Sequence, residues 1–107
     1  MIRHCVFIRF RSEVSEAEKA AIFAEIAALK ERLPGFLAAH IGANVSPETG
    51  MDKGYAEGFI VDFADAKARD AYLDDADHRK TGAKIVAAAE GGVQGVLVYD
   101  LQLRASC

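Results

Sequence analysis

The sequence is short of several things, and each shortage removes a class of protein. Only two of its 107 residues are cysteine, Cys5 inside an alternating stretch and Cys107 at the last position, which makes no disulfide framework. Cys107 is expected to be exposed. No apolar run reaches the ~18–20 residues of a membrane span. The opening stretch through Arg11 lacks the continuous apolar segment and small-residue cleavage site of a secretion signal, so a cytoplasmic protein with free thiols is expected. Excess positive charge is also missing. Thirteen Lys and Arg stand against 16 Asp and Glu, for a net charge of -3 and a pI near 5.5, which argues against attraction to nucleic acid or an anionic membrane. The basic pair Arg79-Lys80 is short and follows a run of acids. No Cys/His spacing resembles a zinc site, and no Gly-x-Ser-x-Gly elbow is present. Gly91-Gly92 and Gly95 lack the strand–glycine–helix setting of a phosphate loop. Asp74, Asp75 and Asp77 beside His78 read as solvated acids at a helix end, so neither a metal nor a cofactor is expected.

What remains is ordinary globular composition, 51% hydrophobic and 27% charged. Residues 1–107 read as a single domain, large enough to bury roughly two-thirds of its unfolded surface. From Ile2 to Arg11 the chain alternates with period two, placing Ile2, His4, Val6, Ile8 and Phe10 on one face of a strand and Arg3, Cys5, Phe7 and Arg9 on the other. Ser15 and Glu18 form a capping box before a helix with Ile22, Ile26, Leu29 and Leu33 on one stripe, and Pro34-Gly35 stops it. Leu37 to Ser46 reads as a second strand with Leu37, Ala39, Ile41 and Val45 together, followed by a polar loop to Gly54. Tyr55 to Phe63 alternates as a third strand. Asp65 is the expected cap of a helix through Tyr72, and Asp77 that of a short helix carrying Ile85, Val86 and Ala89, ended by Gly91-Gly92. Val93 to Leu103 is the last strand.

The order strand, helix, strand, strand, helix, strand predicts an α+β ferredoxin-like sandwich, βαββαβ, with helices on one face of an antiparallel sheet. Yet the outer strands are apolar on both faces: Cys5 and Phe7 oppose Val6 and Ile8, and Leu97, Tyr99 and Leu101 oppose Val96 and Val98. A sheet with one wet face would alternate cleanly. The simplest cover for a second apolar face is the same sheet from another copy, a homodimer.

Particular residues carry a family resemblance. Ile2 through Phe10, then Leu33-Pro34-Gly35-Phe36, Gly54-Tyr55, Asp62-Phe63, Ala71-Tyr72 with His78 six residues on, and Tyr99-Asp100 resemble, in order, the stress-responsive A/B barrel (dimeric α/β barrel) family. The resemblance covers nearly the whole chain and implies a ferredoxin-like monomer dimerised through its sheets into a barrel. Relatives include plant stress-induced proteins and a cofactor-independent polyketide cyclase that closes a poly-β-ketone by aldol condensation. It implies three readings. One is a protein binding a small apolar or β-keto compound, an aldol or isomerisation enzyme of the cyclase kind. Another is a non-enzymatic protective dimer, and the third, taken from a neighbouring family of the same architecture, a cofactor-free monooxygenase.

By parity, His4, Val6, Ile8, Glu57, Phe59, Val61, Val96, Val98 and Asp100 face the helices. The resemblance makes Tyr72 and His78 the catalytic pair, with His78 as base and Tyr72 as donor to an oxyanion. Asp100 is expected to accept from the second nitrogen of His78. The pocket would be lined by His4, Val6, Ile8, Ile22, Phe23, Glu57 and Phe59. Each has a structural alternative: Tyr72 as core packing, His78 as a cap residue, Asp100 as its buried partner, His4 as a hydrogen-bonded core histidine. The chain departs from the family pattern as well. Asp75-Ala76-Asp77-His78 replaces a common His-Pro-x-His, and Glu57 replaces a histidine, which would raise the pKa of a nearby His78. The stretch after His78 also reads as about four residues longer than in the cyclase.

Overall fold

The computed structural model describes residues 1–104, so Cys107 lies outside the described residues. The period-two segments become β1 (Ile2–Ile8), β2 (Phe36–Ala43), β3 (Glu57–Phe63) and β4 (Val96–Gln102). The helical stripes become α1 (Glu16–Ala28), α2 (Ala66–Asp74) and α3 (Ala76–Ala88). The strands form one antiparallel sheet in the order β2-β3-β1-β4, which is the ferredoxin-like arrangement. Among the described residues, no helix is long and apolar enough to cross a membrane.

The core lies between the sheet and the helices. Ile8, Val61 and Phe63 from the sheet, Ile26 from α1 and Tyr72 from α2 are its largest fully buried side chains. Register explains the division of faces. Opposite residues share a face, so the pairs His4–Val61, Val6–Phe59 and His4–Asp100 all point toward the helices. Arg3, Cys5 and Phe7 share the open face with Asp62, Ile60 and Gly58, and with Leu101, Tyr99 and Leu97. On that face Leu97, Tyr99 and Leu101 remain 41–48% exposed. Asp62 is buried there, accepting from Arg3 at 2.7 Å and from His40 at 3.0 Å.

Several boundaries differ from those read in the sequence. The first strand ends at Ile8, and Phe10 makes an isolated bridge to Ala89. A bulge between Phe36 and Ala38 breaks the parity of β2, so Phe36 takes the core position while Leu37 stays exposed. Val45 lies beyond the strand and is exposed. The third strand begins at Glu57, and residues 92–95 make a 3-10 turn before β4. The cap of α3 is Asp75, two residues before the expected Asp77. Gly35 is required by its turn: its φ is +83°, and a Cβ there would lie 2.5 Å from the Cβ of Ala68 on α2.

Candidate active site

Tyr72 stands in the last turn of α2 and His78 in the first turn of α3, and local chemistry sets both helix ends. Asp65 caps α2 by accepting from the Ala68 N–H at 2.9 Å. Asp75 ends α2 and begins α3, with φ -66° and ψ 134°, so a single non-helical residue joins the two helices. Its carboxylate accepts from the His78 N–H at 3.0 Å and from both arms of the Arg32 guanidinium at 2.7 and 2.8 Å. The Arg32 bonds, then the cap bond, hold the Asp75 carboxyl at about 2. Glu25 of α1 clamps α3 from the side, accepting from Thr81 at 2.9 Å and from Lys84 at 2.8 and 3.0 Å.

These supports bring the rings of Tyr72 and His78 to 4.1 Å between centroids. Tyr72 is 0% exposed and also packs on Phe63 at 5.0 Å, His4 at 5.6 Å and Phe36 at 5.9 Å. Its hydroxyl and the Nδ1 of His78 are both buried without a hydrogen-bond partner. A buried polar atom left unpaired costs about 1–3 kcal/mol, and native proteins keep few of them. Burial pushes the Tyr72 phenol up, so it stays protonated and able to donate. Burial, then the charge of His4, outweighs a backbone hydrogen bond to Leu73 and the charge of Asp75 and pushes the His78 imidazole down, so it is neutral at physiological pH and able to accept a proton.

Asp100 does not serve His78 as expected. His4 is its direct cross-strand partner, and the His4 Nδ1 lies 2.6 Å from Asp100 Oδ1. The other oxygen accepts from Arg69 at 2.9 Å. Burial raises the Asp100 pKa, but the bonds from His4 and Arg69 outweigh that and hold the group below its usual value. Since the carboxylate is ionised, the imidazole supplies the proton in the short bond. His4 is therefore the buried, hydrogen-bonded histidine that its apolar face implied. Arg69 was not singled out in the sequence, although it stands three residues before Tyr72, on the same side of α2.

Glu57 is not brought to His78. It lies four residues along β3 from Val61, the partner of His4, and bonds Lys19 at 2.7 Å. Four residues of strand span about 13 Å. The expected rise in the His78 pKa is replaced by a fall. Val6, Ile8, Ile22, Phe23 and Phe59 are buried in the packed core. A separate open groove of ≈ 540 Å³ lies on the other side of the sheet, where Phe7, His40, Ile60 and Leu97 meet Met51 and Tyr55 of the β2–β3 loop. No group of three or more His, Cys, Asp or Glu able to hold a metal ion is found among the described residues.

The His78 environment has a consequence for stability. An imidazole with a lowered folded pKa binds fewer protons folded than unfolded, so stability falls as pH drops below the unfolded value of ~6.5. Urea denaturation at pH 7.5 and 5.5 is expected to show a lower midpoint at 5.5, with the difference reduced in His78→Gln. An equal pH difference in the variant would assign the effect elsewhere. The loss linked to Asp75 comes only in stronger acid, below the ~3.9 of a free aspartate and toward about 2.

Fold and site define a ferredoxin-like α+β domain that encloses a tyrosine–histidine pair between sheet and helices. The chain belongs to the stress-responsive A/B barrel family, whose domain model matches residues 2–102. A dimeric ferredoxin-like protein of unknown function from Jannaschia sp. CCS1 has a TM-score of 0.88 and 29% identity, over 95% of this chain and 98% of that one. A hydroxynitrile lyase from Passiflora edulis has a TM-score of 0.83 at 17% identity, covering 99% and 95%. SnoaB, a cofactor-independent oxygenase from Streptomyces nogalater, has a TM-score of 0.74, also at 17% identity, covering 98% and 94%. At that identity the last two share the fold alone. No curated protein sequence matches this chain significantly.

Proposed function

We propose that this protein is a cofactor-independent enzyme that makes or breaks a carbon–carbon bond beside a carbonyl, with His78 as base and Tyr72 as hydrogen-bond donor. The observation that carries the reading is the pair of buried, unpartnered polar atoms in contacting rings. One is a donor kept protonated and the other an acceptor kept neutral, the combination that enolate chemistry needs. In the forward sense, His78 takes a proton from a carbon between two carbonyls, and the electron pair moves onto the carbonyl oxygen. The Tyr72 hydroxyl donates to that oxygen. The enolate carbon then attacks a second carbonyl, and the new alkoxide takes a proton back from His78. His78 is the more exposed of the pair, so a substrate enters past its ring.

The active form in this reading is a homodimer closed through the open sheet face. Its exposed Leu97, Tyr99 and Leu101 are the apolar surface that a second sheet covers, and the Jannaschia neighbour is dimeric. Sedimentation at micromolar concentration is expected to give about twice 11.5 kDa. A mass equal to one chain would remove the dimer.

A second reading, a protective dimer without turnover, is favoured by the complete enclosure of Tyr72. A thermal-shift series with β-keto acids, phenolic acids and quinones separates the two. A ligand at a hundred times its dissociation constant stabilises by about 2.7 kcal/mol, several degrees for a domain of this size. The enzyme reading expects a β-keto acid to give that shift and His78→Ala to weaken it. A shift unchanged in the variant, or none from the series at millimolar concentration, favours the protective reading.

A further inference from the structure

We propose that Arg32 is a positioning residue for the Tyr72–His78 pair: it selects Asp75 over Asp77 as the cap of α3, and so sets the length of the joint across which the two rings meet. The inference rests on the reading of Tyr72 and His78 as the working pair.

Asp75 and Asp77 stand two residues apart, and either acid can accept the free N–H groups of a helix start. The choice matters for the site. With Asp75 as cap, α3 begins at Ala76 and a single non-helical residue separates it from α2. With Asp77 as cap, Ala76 and Asp77 would return to extended backbone. Each would then advance the chain by about 3.3 Å instead of about 1.5 Å, adding about 3–4 Å to the joint. Two contacts across the joint cannot absorb that length. The rings of Tyr72 and His78 lie 4.1 Å apart, and the imidazole has a backbone hydrogen bond to Leu73 in the last turn of α2.

Arg32 acts on both acids. It follows a 3-10 turn, Leu29–Glu31, and its backbone N–H donates to the Leu29 carbonyl at 3.1 Å. Its Nη1 donates to Asp75 Oδ1 at 2.7 Å and its Nη2 to Asp75 Oδ2 at 2.8 Å. A planar fork on both oxygens sets the plane of the carboxylate, which the point charge of a lysine does not. Held so, Oδ2 also accepts the His78 N–H at 3.0 Å. The same Nη2 donates to Asp77 Oδ2 at 3.1 Å and draws the rival carboxylate outward. The two side chains end up 10% and 61% exposed. One guanidinium thus seats the first acid and occupies the second. Beyond its first turn α3 is tied to α1 by Glu25 through Thr81 and Lys84, independently of Arg32.

NMR on the intact chain reads where α3 begins. In Arg32→Gln the Cα shifts of Ala76 and Asp77 are expected to move from helical to extended values, and the NOE between the Tyr72 and His78 rings to be lost. The Tyr72–Phe63 contact and the Glu25 side of α3 should not change, which reports a retained fold. Removing the rival cap is the decisive arm. Arg32→Gln combined with Asp77→Ala should regain both signals, and Asp77→Ala alone should keep them. Asp75→Ala, with Arg32 in place, should move the helix start to Asp77. Should Arg32→Gln fail to fold, Arg32→Lys keeps the charge without the fork and carries the same test. A helical Ala76 with an intact ring contact in the Arg32 variant would overturn the proposal. A loss that Asp77→Ala does not relieve would also overturn it, because Arg32 would then support the joint without choosing its cap. So would an α3 that still begins at Ala76 in Asp75→Ala. With a substrate in hand, kcat of Arg32→Gln is expected to fall about 10²-fold, as a misplacement of ~1 Å does, and to return in the combined variant. Absence of turnover on every β-keto compound would sink the enzymatic reading but leave the NMR outcomes in place, so the two failures are distinguishable.

Discussion

Replacing His78 with alanine is expected to lower turnover of a β-keto substrate by about 10²–10⁴-fold, the contribution of a positioned general base. Tyr72→Phe is expected to cost about 10²–10³-fold, as loss of an oxyanion donor does elsewhere. The phenylalanine variant is the sharper of the two, because it deletes one atom that touches no polar partner in the free protein. Removing an unsatisfied buried hydroxyl lifts a desolvation penalty, so Tyr72→Phe should fold at least as stably as the parent, by up to about 1 kcal/mol more. Lost turnover with retained or increased stability is the signature of a hydroxyl kept for chemistry. Steady-state kinetics and urea midpoints on the same preparations read both. If turnover survives both substitutions, the pair is not catalytic. If Tyr72→Phe is clearly destabilised, its hydroxyl has a structural partner and the site has been misread.

Phe63→Ala should be the most damaging of single core truncations, at about 3–5 kcal/mol. Phe63 is 0% exposed at the end of β3, opposite both Ile2 and Phe36. Its ring meets Tyr72 at 5.0 Å, Phe36 at 5.6 Å and His4 at 6.0 Å, so the loss includes aromatic contacts as well as a cavity. A domain of ordinary stability holds only ~5–15 kcal/mol in total. Phe63→Leu should cost much less and keep the fold. Because Tyr72 rests on Phe63, the alanine variant should also lose ligand binding before it unfolds. A urea midpoint near the parental value in Phe63→Ala would mean that the aromatic cluster is not the centre of the core.

Alternation makes the sheet readable from the sequence. His4, Val6 and Ile8 on one side of β1 and Cys5 and Phe7 on the other follow from parity, and the structure places them so. Parity fails where the backbone inserts a residue. At the Phe36/Ala38 bulge the buried side chain is Phe36, and nothing local to Leu37 announces it. The cap of α3 is ambiguous in the sequence for a different reason: Asp75 and Asp77 are both good caps two residues apart. Arg32, which selects Asp75, is 43 residues distant. The site was half legible. Tyr72 and His78 are brought together by nearby sequence, whereas the partner of Asp100 depends on the register of β1 against β4. That register sets His4, and not His78, opposite it. Arg69 carried a usable signal in its spacing from Tyr72, but the acceptor it reaches is 31 residues away.

The joint at Asp75 bears on how the pair could be inherited or moved. Tyr72 and His78 sit on either side of one non-helical residue, and so their separation is fixed by a few consecutive backbone angles more than by the assembly of the domain. Each residue of an α-helix advances the side chain by about 100°. A single insertion or deletion between Asp75 and His78 would turn the imidazole away from the phenol while leaving the sheet, its open face and the core intact. The residues around the joint therefore behave like a reading frame: side chains there can be exchanged, but their count cannot change without separating the two rings.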